Sequence, residues 1–415
     1  MLTSPNRQRQ LWMTLLAAFL GWLFDGLEMG IFPLVARPAL QQMQAASGIV
    51  GEQFVQEWMG RITALFLLGA AAGGLIFGWL GDRIGRVRAM SLSILTYSLF
   101  AGFSYFAQQP WQLGALRALG ALGMGGEWAL GVALVMESWP AEKRPLMAAL
   151  IGAAANLGYA LVAVIAMVVH ITPDSWRWMM LVGAAPALLT FLIRLFVPES
   201  EKWQQAMAAG PSQPVREIFA PALRSRTFLA IIFAGVALLG TWGIVQWIPL
   251  WADQMTHGAE PKAKAFAQFW QAIGATAGSF IAPLLGLHFG RRPVYFGLCL
   301  SSLLVCGILF RSFSTLTPGF LGMVCLTGMC TASFYGWLPQ YLPELFPTRS
   351  RATGQGLAYN FGRILAAIGA WQMGPLLGFF DKSYARAGAT ISLVYLVGMA
   401  LIWLAPETRN KPLPD

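Results

Sequence analysis

Apolar runs of about 20 residues, each long enough to cross a hydrocarbon core of about 30 Å, recur along the chain between short polar connections. Twelve such runs fall at about 11–35, 58–81, 87–107, 111–138, 145–170, 176–197, 226–252, 263–287, 293–313, 316–342, 351–379 and 386–405. Inside a bilayer the backbone must satisfy its own hydrogen bonds, so each run is expected to be a helix. The pattern predicts an all-α membrane protein with twelve transmembrane helices. The first run is too long for a signal-peptide core and is read as an uncleaved helix. The longest inner connection, 201–225, carries Pro211, Pro214 and Pro221. It divides the chain into a six-helix bundle over 1–200, a cytoplasmic linker over 201–225 and a second six-helix bundle over 226–415.

Composition agrees with a bilayer as solvent. Of the 415 residues 57% are hydrophobic and 11% charged, against about 25% charged in a soluble domain. The net charge of +10 could suggest a nucleic-acid partner, but the placement of the cations excludes that reading. With the N-terminus inside, the inner segments hold Arg7, Arg9, Arg83, Arg86, Arg88, Lys143, Arg144, Arg194, Lys202, Arg216, Arg224, Arg226, Arg291, Arg292, Arg349, Arg351, Arg409 and Lys411. The outer segments hold only Arg37, Arg61, Arg177, Lys262, Lys264, Arg311, Lys382 and Arg386. Such a bias predicts cytoplasmic termini and contact with anionic lipid, in the inner (plasma) membrane. Cys299, Cys306, Cys325 and Cys330 lie in apolar runs without zinc-ligand spacing and are expected to pack. No phosphate loop, His-Glu-x-x-His or nucleophile elbow is present, and no metal, cofactor or enzymatic activity is expected.

The two halves repeat each other. Glu137-Ser138-Trp139-Pro140 with Arg144 returns as Glu344-Leu345-Phe346-Pro347 with Arg351, at an offset of 207 residues. Gly81, Gly85 and Arg86 return as Gly286, Gly290 and Arg291, and Pro198-Glu199 returns as Pro406-Glu407. Parallel six-helix repeats are a plan of alternating-access transporters.

These motifs resemble known ones. Residues 78–88, with Gly81, Asp82, Arg83, Gly85 and Arg86, resemble the loop signature between helices 2 and 3 of the major facilitator superfamily. Arg117 with Gly120, Gly123, Gly125 and Gly126 resembles its helix 4 signature. Gly126-Glu127-Trp128, Phe346-Pro347-Thr348-Arg349 and Tyr359-Asn360-Phe361-Gly362-Arg363 are similar to the sialate:proton symporter group. Asp25-Gly26-Leu27-Glu28 resembles the acidic helix 1 motif of that group and of aromatic-acid:proton symporters, with Glu28 where a second aspartate is usual. The resemblance implies a monomeric secondary transporter of a small molecule, with protons as a second partner. In related symporters a helix 1 acid coupled to the helix 4 arginine carries the proton.

Charges inside the membrane sharpen this. Asp25, Glu28, Arg117, Glu127 and Arg363 fall within spans, where each costs about 2.5–3.5 kcal/mol on insertion scales. The mirror of Arg117 is Val324 and that of Arg363 is Asn156, so symmetry does not explain these charges. At 1.5 Å per residue, Asp25 lies roughly 21 Å from one face and Arg117 roughly 9 Å from the other, which makes them nearly level. Residues three apart share a helix face, so Glu28 competes with Asp25 for Arg117. Asp25, Glu28, Arg117 and Glu127 are the proton-coupling candidates; a static ion pair between helices 1 and 4, with Glu127 as a packing anchor, is the alternative. Arg363, roughly 18 Å from the inner face by helical rise, suits a substrate carboxylate or an acid across the halves. Asn360, Tyr359, Asn156, Gln246, Gln271 and Tyr335 are candidates to line the cavity. Asp82, Arg83, Arg86, Glu137, Arg144, Glu344 and Arg351 are the gating candidates, with Leu287 where Asp82 would repeat. The expected function is proton-coupled import of a small organic anion, such as a monocarboxylate or sialic acid. The alternatives are a carrier of neutral sugar or another polar solute, and a non-transporting binding protein on the same fold.

Overall fold

The computed structural model describes residues 5–47, 52–169, 171–186, 193, 196–208, 213–256, 259–260, 262–371, 379–380 and 383–414. Arg194, Lys382, His170 and His257 lie outside the described residues. Among the described residues there is no strand.

The helices used below are α1 (Pro5–Ser47), α2 (Glu52–Ile84), α3 (Arg86–Phe103), α4 (Pro110–Ser138), α5 (Arg144–Val168) and α6 (Trp176–Ala184). The connection contains α7 (Glu201–Ala208) and α8 (Pro214–Ile218). There follow α9 (Arg224–Gly243), α10 (Ile248–Met255), α11 (Ala263–Phe289), α12 (Arg291–Ser312), α13 (Pro318–Ala332), α14 (Phe334–Tyr341), α15 (Arg351–Trp371), α16 (Tyr384–Ile391) and α17 (Val394–Leu401). Ten helical stretches among the described residues are long and apolar enough to span a bilayer. The expected sixth and eleventh spans are represented by α6 and α15, and continue into residues outside the described set.

Two helix boundaries differ from the apolar pattern. The first span was expected to end near residue 35, but α1 continues through Pro33 and Pro38 for 43 residues. That is about twice the length a hydrocarbon core needs, so α1 projects beyond it. The expected seventh span, 226–252, breaks at Ile244 (φ −127°, ψ −66°) between α9 and α10. The Trp247 indole donates to the Trp242 carbonyl at 3.0 Å across the break, satisfying an acceptor that the interrupted helix frees.

Small residues let helices of the two halves of the chain approach. Gly356 of α15 lies against the Gly74 carbonyl of α2, and Asn360 donates to the Gly125 carbonyl of α4 at 2.8 Å. Close backbone approach of this kind is how helices associate where lipid removes the hydrophobic drive. Two glycines of the helix 4 motif serve inside the first half: Gly123 meets α3 and Gly126 meets Phe77 of α2.

Candidate functional site

The first cluster sits where α2 turns into α3. Gly85 makes that turn at φ +108°, and Gly290 makes the equivalent one between α11 and α12 at φ +88°. The turn leaves the N-terminal N–H groups of the next helix free, and a glutamate from far along the chain takes them. Glu199 accepts from the backbone N–H of Arg86 at 2.8 Å and Val87 at 3.1 Å. Glu407 does the same for Arg291 at 3.0 Å and Arg292 at 3.2 Å. Burial alone would raise the Glu407 carboxyl, but the N–H groups of Arg291, Arg292, Arg409 and Thr408 outweigh it and hold it below the ordinary glutamate value.

The arginines after the two glycines also match. Arg86 donates to the Gly81 carbonyl at 2.8 Å and pairs with Glu137 at 3.0 Å. Arg291 donates to the Gly286 carbonyl at 2.8 Å and pairs with Glu344 at 2.7 Å. Ser200 donates to Glu137 and Thr408 to Glu344, each at 2.5 Å. Among the described residues only the first copy makes ion pairs across the halves. Glu137 also holds Arg351 at 3.1 Å, and Arg86 donates to the Thr348 carbonyl at 2.8 Å. Asp82 pairs with Arg86 at 2.8 Å and accepts from Thr353, from the backbone N–H at 2.8 Å and the hydroxyl at 2.6 Å. Arg86, Glu137 and Arg351 have fully buried side chains. The halves are thus locked together at the Asp82 end of the bundle.

Two gating candidates stand apart from this lock. Arg83 is exposed, with its guanidinium 4.9 Å over the Trp79 ring, and Arg144 donates to the Met136 carbonyl at 2.9 Å. The network also contains a member that the motif spacing does not announce. Arg351 donates to the Pro414 carbonyl at 2.7 Å, beside the buried Leu413. A charge-assisted hydrogen bond of this kind contributes about 1.5–3 kcal/mol. Truncation before Leu413 should therefore lower thermal stability and speed maleimide labelling of a single cysteine at Ala352, in a background lacking the native cysteines. Unchanged labelling would detach the tail from the lock. Gly85→Ala should also lower Tm, because a backbone at φ 108°, ψ 153° strains any residue with a Cβ by about 1–3 kcal/mol and that Cβ would lie 2.2 Å from Glu199 Oε2. Equal melting of Gly85→Ala and wild type would contradict that account of the turn.

The second cluster lies in the spans. Arg117 is held by Glu28, not Asp25, at 2.8 Å. Its guanidinium also stacks 4.6 Å over Phe32 and 5.0 Å over Phe66. Asp25 and Glu127 are 0% and 1% exposed, and none of their four carboxyl oxygens has a hydrogen-bond partner among the described residues. Gly21, one turn before Asp25, makes room for Glu127: a Cβ there would fall 1.7 Å from Glu127 Oε1. Arg363 is 2% exposed and donates to Asn360 at 2.5 Å. Its guanidinium lies 5.4 Å from the Tyr359 ring centroid. Among the described residues no carboxylate forms an ion pair with it, and its Nε has no acceptor. Tyr359 stacks on Trp128 at 3.9 Å and meets Trp22 edge-on at 6.2 Å.

The remaining cavity candidates disperse. Gln246 lines a small cavity of about 30 Å³ with Met29, Phe32, Phe66, Arg117 and Trp242, and accepts from Tyr159 at 3.4 Å. Asn156 donates to Ser279 of α11 at 3.2 Å, and Tyr335 donates to Thr241 at 2.6 Å. Asn360 is tied to α4 as described, and Gln271 keeps a buried carbonyl oxygen without a donor. The sequence reading passed over Gln355, fully buried with neither amide atom bonded. Its place four residues before Tyr359 and eight before Arg363, on one face of α15, is the available signal.

Paired helix-turn motifs, a lock between halves and, among the described residues, an unmatched charge within the spans suit a membrane transporter. A family model described as the Major Facilitator Superfamily matches residues 14–370, and the chain belongs to that family. It is 29% identical to the probable 4-methylmuconolactone transporter of Cupriavidus pinatubonensis, covering 98% of this chain and 92% of that one. It is 28% identical to the cis,cis-muconate transport protein of Acinetobacter baylyi, covering 92% and 89%. Its fold is similar to that of the proton:xylose symporter XylE bound to 6-bromo-6-deoxy-D-glucose, with a TM-score of 0.77, 18% identity and 98% of both chains covered.

Proposed function

We propose that this protein imports a small organic anion together with protons by alternating access. The observation that carries the reading is Arg363: a buried guanidinium that cannot shed its charge, without a carboxylate partner among the described residues. A cargo carboxylate would supply the missing anion. The muconate and methylmuconolactone relatives support that class of cargo. The likeness to the xylose symporter is one of fold alone and gives the sugar reading no weight. In this scheme the protein works as a monomer in the inner membrane, with cytoplasmic termini, bundles over 1–200 and 226–415, and a cytoplasmic linker over 201–225.

Asp82, Arg86, Glu137 and Arg351 then form the cytoplasmic gate in its closed state. Glu344 stabilises the corresponding turn in the second half, and Arg83 and Arg144 flank the gate. Around Arg363, the candidate cargo contacts are Tyr359, Asn360, Gln271, Tyr335, Asn156 and Gln246. Asp25 and Glu127 carry the proton, while Glu28 and Arg117 hold α1 to α4.

A thermal-shift screen of the purified protein tests the reading. It should compare muconate, gentisate and 3-(3-hydroxyphenyl)propionate, acids for which relatives are named, with their amides and with sugars. A ligand at 100 times its Kd stabilises the folded state by about 2.7 kcal/mol. The acids should raise Tm and the amides should not. A shift with sugars alone would support the neutral-solute alternative.

A further inference from the structure

On the side of the lock, α2 carries a stripe that runs out of the lipid. Leu68, Ala72 and Ile76 follow one another at a spacing of four, so they share a face, and all three are exposed on the outside of the bundle. Further along the same face come Trp79 and then the exposed Arg83, whose guanidinium lies over the indole. An arginine reaching past an interfacial tryptophan places its charge at headgroup level.

Across from Arg83 stands the connection between the halves. Its short helix α8 is seated on the bundle. Ile218 is buried, its carbonyl accepts from the Thr227 hydroxyl at 2.6 Å, and α8 packs against α15 and the 348–350 turn. Arg216 and Phe219 of the connection share with Arg83 and Trp79 a cleft of about 790 Å³, which Gln213 also lines. No acid is among the lining residues. Glu217, next to Arg216 in the chain, pairs with Arg349 at 3.8 Å. Arg216 donates to Gln213 at 3.5 Å. Among the described residues neither Arg83 nor Arg216 forms an ion pair. One rim of the cleft is apolar: Phe219 lies 6.2 Å from Phe228, an exposed residue in the first two turns of α9. That rim is continuous with the lipid-facing surface.

We propose that this cleft binds the phosphate of an anionic phospholipid from the adjoining leaflet, between Arg83 and Arg216, with the acyl chains along the α2 stripe. The guanidinium fork matches phosphate oxygens two at a time. Two cations without a carboxylate partner select a headgroup of net negative charge over a zwitterion. The bound headgroup ties α2 to the connection. The connection is joined in turn to the lock, because Arg349 adjoins Thr348, whose carbonyl accepts from Arg86. Anionic lipid therefore favours the closed lock. None of this depends on the cargo.

The purified full-length protein should be offered equimolar phosphatidylglycerol and phosphatidylcholine with the same acyl chains, and the retained lipid measured by native mass spectrometry. Wild type should retain phosphatidylglycerol in preference. Arg83→Gln and Arg216→Gln should each weaken its retention by about fivefold or more, while Arg224→Gln, outside the cleft, should not. In a background lacking the native cysteines, a single cysteine at Ala352 should label more slowly in nanodiscs containing phosphatidylglycerol than in phosphatidylcholine alone. Either cleft variant should remove that difference. Unchanged retention in both cleft variants would overturn the site. Unchanged labelling despite retention would overturn its link to the lock. Slower labelling caused by inorganic phosphate in phosphatidylcholine nanodiscs would make the occupant a free anion and overturn the lipid. Both cleft arginines are exposed, and misfolding of one variant leaves the other to decide.

Discussion

Arg363→Lys should weaken binding of a carboxylate cargo by about 2–5 kcal/mol, the cost of losing a buried charge-assisted pair. That corresponds to about thirty-fold or more in Kd. Lysine keeps the charge but not the planar fork that matches a carboxylate, and it would lose the contacts the guanidinium makes with Asn360 and Tyr359. The discriminating measurement is calorimetry with the acid and its amide on wild type, Arg363→Lys and Arg363→Gln. The amide should bind wild type poorly and gain relative to the acid in Arg363→Gln. Equal losses for acid and amide would make Arg363 a packing residue between α15 and α4.

Glu137→Gln should produce the largest change in stability and in conformational balance. Its carboxylate stands between Arg86 at 3.0 Å and Arg351 at 3.1 Å, all three buried. Removing one partner of a buried ionic network costs about 3–5 kcal/mol, because the charges left behind are uncompensated. Here two arginines from opposite halves would be left facing each other. The variant should melt earlier, and a single cysteine at Ala352, buried in wild type, should label faster. The corresponding Glu344→Gln removes the partner of one arginine within one half, so it should lower Tm without speeding that labelling. Faster labelling in both variants would show that the asymmetry of the lock is not what controls opening.

The apolar runs make the helical membrane fold legible, because a bilayer permits little else. Helix ends are less legible. Pro33 and Pro38 look like terminators, yet α1 runs through them, and the break at Ile244 carries no proline of its own. The repeat made the ion-pair lock legible down to Arg86, Glu137 and Arg351. Glu199 and Glu407 were equally visible as repeated residues; their capping role needs the fold, since each acts more than a hundred residues away. Arg117 was recognisable as a charge needing an acid, but rise per residue could not choose between Asp25 and Glu28. They are three residues apart on one face, a difference of about 4.5 Å in depth. Rotation about the helix decides it, turning Glu28 and not Asp25 to Arg117. Arg363 shows the converse: its burial follows from its place in an apolar run, while its lack of an acid partner among the described residues appears only once the helices are packed.

The claim that anion and proton move together is tested most directly by uptake into proteoliposomes under an imposed inward proton gradient at zero membrane potential. The cargo should be an acid that stabilises the protein, with protein-free vesicles correcting for passive entry. Wild type should accumulate the acid but not its amide, and accumulation should collapse with the gradient and be absent in Asp25→Asn. Accumulation of acid and amide alike, or uptake in Asp25→Asn that still follows the proton gradient, would contradict the account.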